Sequence, residues 1–343
     1  MKKLLQPKIL IPVILSVALI VALLAFADVG KVVALMERFQ KIYLLWFLLL
    51  MVVYEIIRGV QWHFLLESMD IHVPVPTQIF AFAAGEMTKS MPIGNYFQNY
   101  LLQQSKGADF GLTSAATTII IILEVAVSLV GVIILGLGQW TGIVRPVIII
   151  GTALFILAAW AYHRFHQHSR TPKWIREHKT LRKALEEFKQ FQQGASRLFH
   201  PRVLLIAALL SAGYLITAGA ALYLVVRGLN IGGASLPETL AVYFFSLAFS
   251  LIIPIPVDIG VLEFSGVGAF LAVGIQGGKT PAVGVMLINR VLSIGSSIAI
   301  ALIVMAIFHG EFRAALRGGS GNSTQQPGAP EAPEAPSEAV GRA

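Results

Sequence analysis

Residues Val75–Ser128 read VPTQIFAFAAGEMTKSMPIGNYFQNYLLQQSKGADFGLTSAATTIIIILEVAVS. An apolar segment begins here, is interrupted by Glu86, Lys89 and Pro92, and passes a polar turn at Lys106–Asp109 before a long apolar run that carries Glu124. Proline has no amide donor and collides with the preceding turn, so a helix arriving from the N-terminal side ends or kinks just before Pro92. Glu86 and Lys89 are three residues apart and share a helical face. Asn95, Tyr96, Gln98 and Asn99 then supply hydrogen-bonding groups. In hydrocarbon, broken backbone and ionisable groups persist where they line a cavity or are buried in protein. The pattern predicts a broken or re-entrant hairpin lining a cavity, with two short tilted spans as the alternative.

The rest of the chain supplies the membrane context. Of 343 residues, 56% are hydrophobic and 13% charged, and the mean hydropathy is +0.75. A soluble fold lacks the surface charge to match so large an apolar content. Apolar runs exceed the roughly 20 residues that cross a bilayer. The expected fold is an all-α polytopic membrane protein of about six full transmembrane helices, near residues 9–26, 42–60, 112–137, 143–162, 203–226 and 281–308, plus two broken hairpins. The first of these follows lysines and resembles a signal peptide, but the later spans favour an uncleaved helix. The membrane domain covers 1–310, with a basic loop at 163–202 and a disordered tail at 311–343 rich in Gly, Pro, Ser and Glu.

Charge sets the expected orientation. Ten of the 26 Lys and Arg residues lie in 163–202, and others flank the first and last spans, at Lys2, Lys3, Lys8, Arg313 and Arg317. By the positive-inside rule all three segments, and so both termini, are cytoplasmic. The formal net charge of +8 therefore speaks for membrane orientation and lipid headgroups, not nucleic acid. Within the loop, Leu181, Leu185, Phe188, Phe191, Ala195 and Leu198 recur at helical spacing, predicting an amphipathic helix on the membrane surface or against the bundle.

A second stretch, Pro237–Leu292, repeats the layout. The run Leu240–Ile253 is broken by Pro254, Pro256 and Asp258, is followed by Gly260 and Glu263, and leads to a last apolar helix carrying Asn289 and Arg290. If each stretch returns to its own side, the two enter from opposite sides, the inverted arrangement by which transporters place a site near the midplane. Counting each hairpin as two spans, for ten crossings, satisfies the charge rule equally. Elsewhere Glu55 and Arg58 share a helical face, as an interfacial pair or part of a headgroup site.

Catalytic signatures are absent from the sequence: there is no HExxH, GxSxG, Walker or Rossmann pattern. Cysteine is absent, and the histidines at 163, 166, 168 and 178 lack a companion ligand set, so neither cofactor nor metal is expected. Transport gives the buried charges a use. Lys89 and Arg290 would meet phosphate or carboxylate, while Glu86, Glu124, Asp258 and Glu263 would balance them, receive an ammonium or carry a proton. Pairing among themselves to fix the two halves is the structural alternative.

The segments GEMTKSMPIGNYFQNYLLQQSKGAD at 85–109, IPIPVDIGVLEFSGVGAFLAVG at 253–274 and INR at 288–290 resemble the flippase-like family grouped with the transmembrane part of lysylphosphatidylglycerol synthase, over residues 8–310. The resemblance implies handling of an amphipathic lipid, anionic or polar-headed. Family members are linked to aminoacylated phospholipids, glycolipid assembly or hopanoids. It carries over to Glu86, Pro92, Pro256, Gly260, Glu263 and Arg290. The synthase's soluble aminoacyl-transferring domain has no counterpart in these residues, which argues against lysine transfer. Lipid translocation is the expected function. The alternatives are a membrane transferase acting on a lipid-linked substrate, or a subunit partnering a lipid-biosynthesis protein.

Overall fold

The computed structural model describes residues 29–89, 94–106, 108–136, 179–252 and 260–319, with isolated positions between 146 and 153. Its elements, in chain order, are α1 (Val29–Glu37), α2 (Lys41–Glu67), α3 (Val75–Thr88), a 3₁₀ turn (Gly94–Tyr96), α4 (Phe97–Lys106), α5 (Phe110–Gly136), α6 (Lys179–Leu198), α7 (Pro201–Gly228), α8 (Leu236–Ile252), α9 (Val261–Ala272) and α10 (Lys279–Gly319). No strand occurs among the described residues. Among the described residues, four helices are long and apolar enough to span: α2, α5, α7 and residues 279–310 of α10. They match four of the six expected full helices. The spans expected at 9–26 and 143–162, and the tail beyond 319, lie outside the described residues. Two helices outrun their expected ends, α2 reaching Glu67 and α10 reaching Gly319.

Between the spanning helices lie two pairs of short ones. At 14 and 10 residues, α3 and α4 are each shorter than the bilayer core; at 1.5 Å per residue they reach about 21 and 15 Å, against a hydrocarbon thickness of about 30 Å. The same holds for α8 and α9, with 17 and 12 residues. Core packing shows where each hairpin begins and ends. One buried cluster joins the C-terminal end of α2 (Trp62, Leu65, Leu66) to the start of α5 (Ala115, Ala116) and to Leu198 and Ala207. The α3–α4 hairpin therefore starts and finishes at the same end of the bundle. A second cluster joins the C-terminal half of α7 (Leu222, Val225, Val226) to the start of α10 (Ala282, Val283, Val285) and to Phe47. The α8–α9 hairpin accordingly returns to the opposite end. Both hairpins are re-entrant, and they enter from opposite ends.

The two halves, α2–α5 and α7–α10, are an inverted repeat in geometry. Helices α2 and α7 run antiparallel: the Gln40 amide donates to the Gly228 carbonyl at one end, and Gln61 Nε2 donates to the Ala207 carbonyl and Ser211 Oγ at the other. Both helices terminate alike. Asp70 and Asn230 adopt left-handed backbone at φ 62° and 52°, and the following Ile71 and Ile231 amides reach back to Leu66 and Val226. That is the C-terminal cap in which a left-handed residue lets the chain satisfy the last carbonyls. Each half also lends its hairpin to the other, since α3 packs on α10 and α8 packs on α5. The amphipathic α6 docks its apolar side against the bundle, burying Ala195 and Leu198, with Gly194 set against Leu112 and Ala115 of α5.

Candidate functional site

The buried charges converge where α3 ends, midway along α2, α5 and α7. Arg58 is the hub. Its guanidinium donates to the Tyr54 hydroxyl at 2.7 Å and lies 3.4 Å from carboxylate oxygens of both Glu86 and Glu124. Lys89 closes the other side of Glu86 with Nζ at 2.5 Å, and also reaches the Tyr54 hydroxyl at 3.5 Å. Glu124 accepts a hydrogen bond from the Tyr214 hydroxyl at 2.9 Å. The Tyr54 and Tyr214 rings meet edge to face at 5.4 Å, and the Arg58 guanidinium sits 5.9 and 5.7 Å from their centroids. Isolated charges this deep would be costly, and each here has an opposite charge and a hydrogen-bond partner.

The folding of the first hairpin brings these groups together. Glu86 and Lys89 sit at the inner tip, where α3 stops. Gly85 lets α4 approach, since a Cβ there would fall 2.7 Å from Gln98 Oε1. Gln98 and Asn99 in turn bond Thr117 of α5 at 3.2 and 3.0 Å. Asn95 borders a small void of about 10 Å³ shared with Arg58, Glu86, Gln98 and Thr117. That is about the space one water occupies, and polar partners surround it.

One further carboxylate lies beside this network without an ion pair of its own among the described residues. Glu55, a turn before Arg58, is buried and accepts a hydrogen bond from Ser297 of α10 at 2.7 Å. It lies at the inner end of a groove of about 470 Å³ between α2 and α10, floored by α3. Val52, Ile56, Gly59, Phe82, Ile300 and Val304 make its wall largely apolar, Glu55, Glu86 and Ser297 make one end polar, and the hydrogen-bonded His63 and Gln78 also line it. The outer lip of α2, with Val52, Ile56 and Val60, is exposed on a face that membrane spans direct to lipid. The groove therefore joins a long apolar wall, open beside the exposed face of α2, to a polar end.

The expected site residues fall into two groups. Glu86, Lys89, Asn95 and Glu124 are brought together. Glu263 and Arg290 form a separate ion pair at 3.1 Å, with the Gly260 amide donating to the second Glu263 oxygen. Gly260 has φ 96°, a conformation side chains rarely adopt, which explains a glycine at the start of α9. Asn289 is buried beside Arg290 on α10. Pro92, Pro256 and Asp258 lie outside the described residues. Sequence reasoning missed the centrality of Arg58 and both tyrosines. It placed Arg58 with Glu55, three residues away, whereas the hairpin brings Glu86 to it from another helix. The signal available was the buried depth of Arg58 inside a helix that continues nine residues beyond it.

A family model described as the lysylphosphatidylglycerol synthase TM region matches residues 11–308. No individual curated protein matches the chain significantly.

Proposed function

The chain belongs to the lysylphosphatidylglycerol synthase transmembrane family, and from that premise we propose that it moves an amphipathic lipid between the leaflets of a bacterial inner membrane. The observation that carries this reading is the groove of about 470 Å³ whose apolar wall ends at Glu55, Glu86 and Ser297. A lipid changing leaflets must keep its chains in an apolar medium while its headgroup finds protein partners in place of water. Chains in the groove would leave the headgroup against Glu55 and Glu86, with Arg58, Lys89 and Glu124 behind. Because carboxylates line the inner, polar end, a polar headgroup rich in hydrogen-bond donors fits it best.

On this reading the re-entrant hairpins serve as the gates, and the charge network fixes the tip of the first. Both termini face the cytoplasm, following the basic segments. The purified protein in liposomes is expected to speed exchange of a fluorescent phospholipid between leaflets without altering it, and Glu86→Gln is expected to slow that exchange. Exchange at the protein-free rate, together with appearance of a chemically altered lipid, would establish a membrane transferase instead.

A further inference from the structure

The two halves of the molecule correspond residue by residue, beyond the order of their helices. Tyr54 and Tyr214 are each the fourteenth residue of their helices, and Gly59 and Gly219 are each the nineteenth. In the next helices Ile79 and Leu240 are each fifth, and Phe82 and Tyr243 each eighth. Packing follows the same register. A Cβ on Gly59 would meet the Phe82 ring, and one on Gly219 would meet Leu240 and Tyr243. Ser297, which lies in the groove, and Ser128 are each nineteenth in α10 and α5.

The two copies differ in how closely their helices pack. Between α2 and α3 the helices barely touch, and the Cβ on Gly59 would come no nearer than 3.4 Å to Phe82. Between α7 and α8 the helices pack closely, and the Cβ on Gly219 would fall 2.6 Å from Leu240 Cδ2. One copy is open and its counterpart is shut. An inverted repeat holding two conformations of one unit has a natural second state in which they are exchanged.

Resting on the lipid-translocation reading, we propose that α7, α8 and α5 form a second acyl-chain groove, closed in this structure, which opens from the opposite end as the groove between α2 and α3 closes. Leu240 and Tyr243 would floor it as Ile79 and Phe82 floor the first. The Ser128 hydroxyl, buried and with no hydrogen-bond partner among the described residues, stands where Ser297 stands in the open groove. The positions of Glu55 and Glu86 are taken by Leu215 and Leu247, fifteenth and twelfth in their helices. The second groove therefore accepts chains, while Arg58, Glu86, Lys89 and Glu124 remain at one centre beside Tyr54 and Tyr214. Small residues at the pivot, Gly59 and Gly219, allow either helix pair to approach.

The full chain in liposomes containing a phospholipid with a photoreactive acyl chain tests this. Illumination and peptide mapping are expected to place label on Ile79 or Phe82 and also on Leu240 or Tyr243. The chain has no native cysteine, so a G219C/L240C pair can lock α7 to α8: the Cβ at 219 lies 3.6 Å from the Leu240 Cα, within reach of a disulfide. Oxidation is expected to abolish label on Tyr243 and spare label on Phe82, and reduction to restore it. Label confined to Ile79 and Phe82 in the unmodified chain overturns the second groove while leaving the first intact. Label on Tyr243 that survives oxidation overturns the exchange. Absence of label from both sets of residues defeats the lipid-groove reading itself. The unmodified chain decides the matter even if the double variant does not fold.

Discussion

Arg58 touches two carboxylates and a tyrosine hydroxyl, and its loss would leave Glu86 and Glu124 with less opposing charge in a low-dielectric interior. Removing one partner from a buried charge network costs about 3–5 kcal/mol. Arg58→Ala is therefore expected to lower the detergent-solubilised unfolding temperature sharply, and adding Glu124→Gln should recover part of the loss. Additive losses in the double variant would separate the two residues energetically. Gly85 makes a different demand, because a methyl there overlaps Gln98. Gly85→Ala should destabilise by about 1–3 kcal/mol through overpacking, read as a lower unfolding temperature. The sequence announced that Glu86, Lys89 and Glu124 were unusual, since charges in apolar runs stand out one residue at a time. Their common partner was hidden, because Glu55 is the nearer acid along α2 and the approach of Glu86 depends on a tertiary fold.

At the scale of elements, proline and glycine punctuation made both hairpins legible. Helices as short as α3, α4 and α9 fall below the roughly 17 residues a span needs, and their placement between long apolar runs left few topologies. Whether each hairpin returned to its own side was not legible, because charge at the ends permits ten crossings as well. The ends of α2 and α7, packed beside the starts of α5 and α10, resolve this for the described residues. A clearer sequence sign of the repeat lay outside the breaks: Met69-Asp70-Ile71 and Leu229-Asn230-Ile231 precede Val75-Pro76 and Leu236-Pro237. Asp and Asn tolerate the left-handed turn that ends each helix, and proline suits the first turn of the next. At the second hairpin, Gly260→Ala would force a side chain into φ 96°, a strain of about 1–3 kcal/mol. It should lower the unfolding temperature, whereas Gly268→Ala, with nothing within 4 Å of the added Cβ, should leave it unchanged or raise it slightly.

Over the whole molecule, two inverted halves meet at the Arg58 centre, and one half carries an open groove lined by α2, α3 and α10. The apolar composition made the membrane location legible, but no local pattern marks a groove, which arises from the gap between α2 and α3. Gly59 lies in that gap, with ordinary van der Waals distance to Phe82. A larger side chain there would occupy the space of an acyl chain, and replacing glycine within a helix also favours the helix by about 0.8–1.0 kcal/mol. Gly59→Leu should therefore fold and fill the groove. Ile134, 73% exposed on the outer face of α5, provides a control remote from it. The most direct test is the leaflet-exchange rate of a fluorescent phospholipid in liposomes bearing the wild-type chain, Gly59→Leu or Ile134→Leu at equal density. Rapid exchange with wild type and Ile134→Leu, falling to the protein-free rate with Gly59→Leu, is the predicted result; exchange undiminished by Gly59→Leu would contradict passage through the groove.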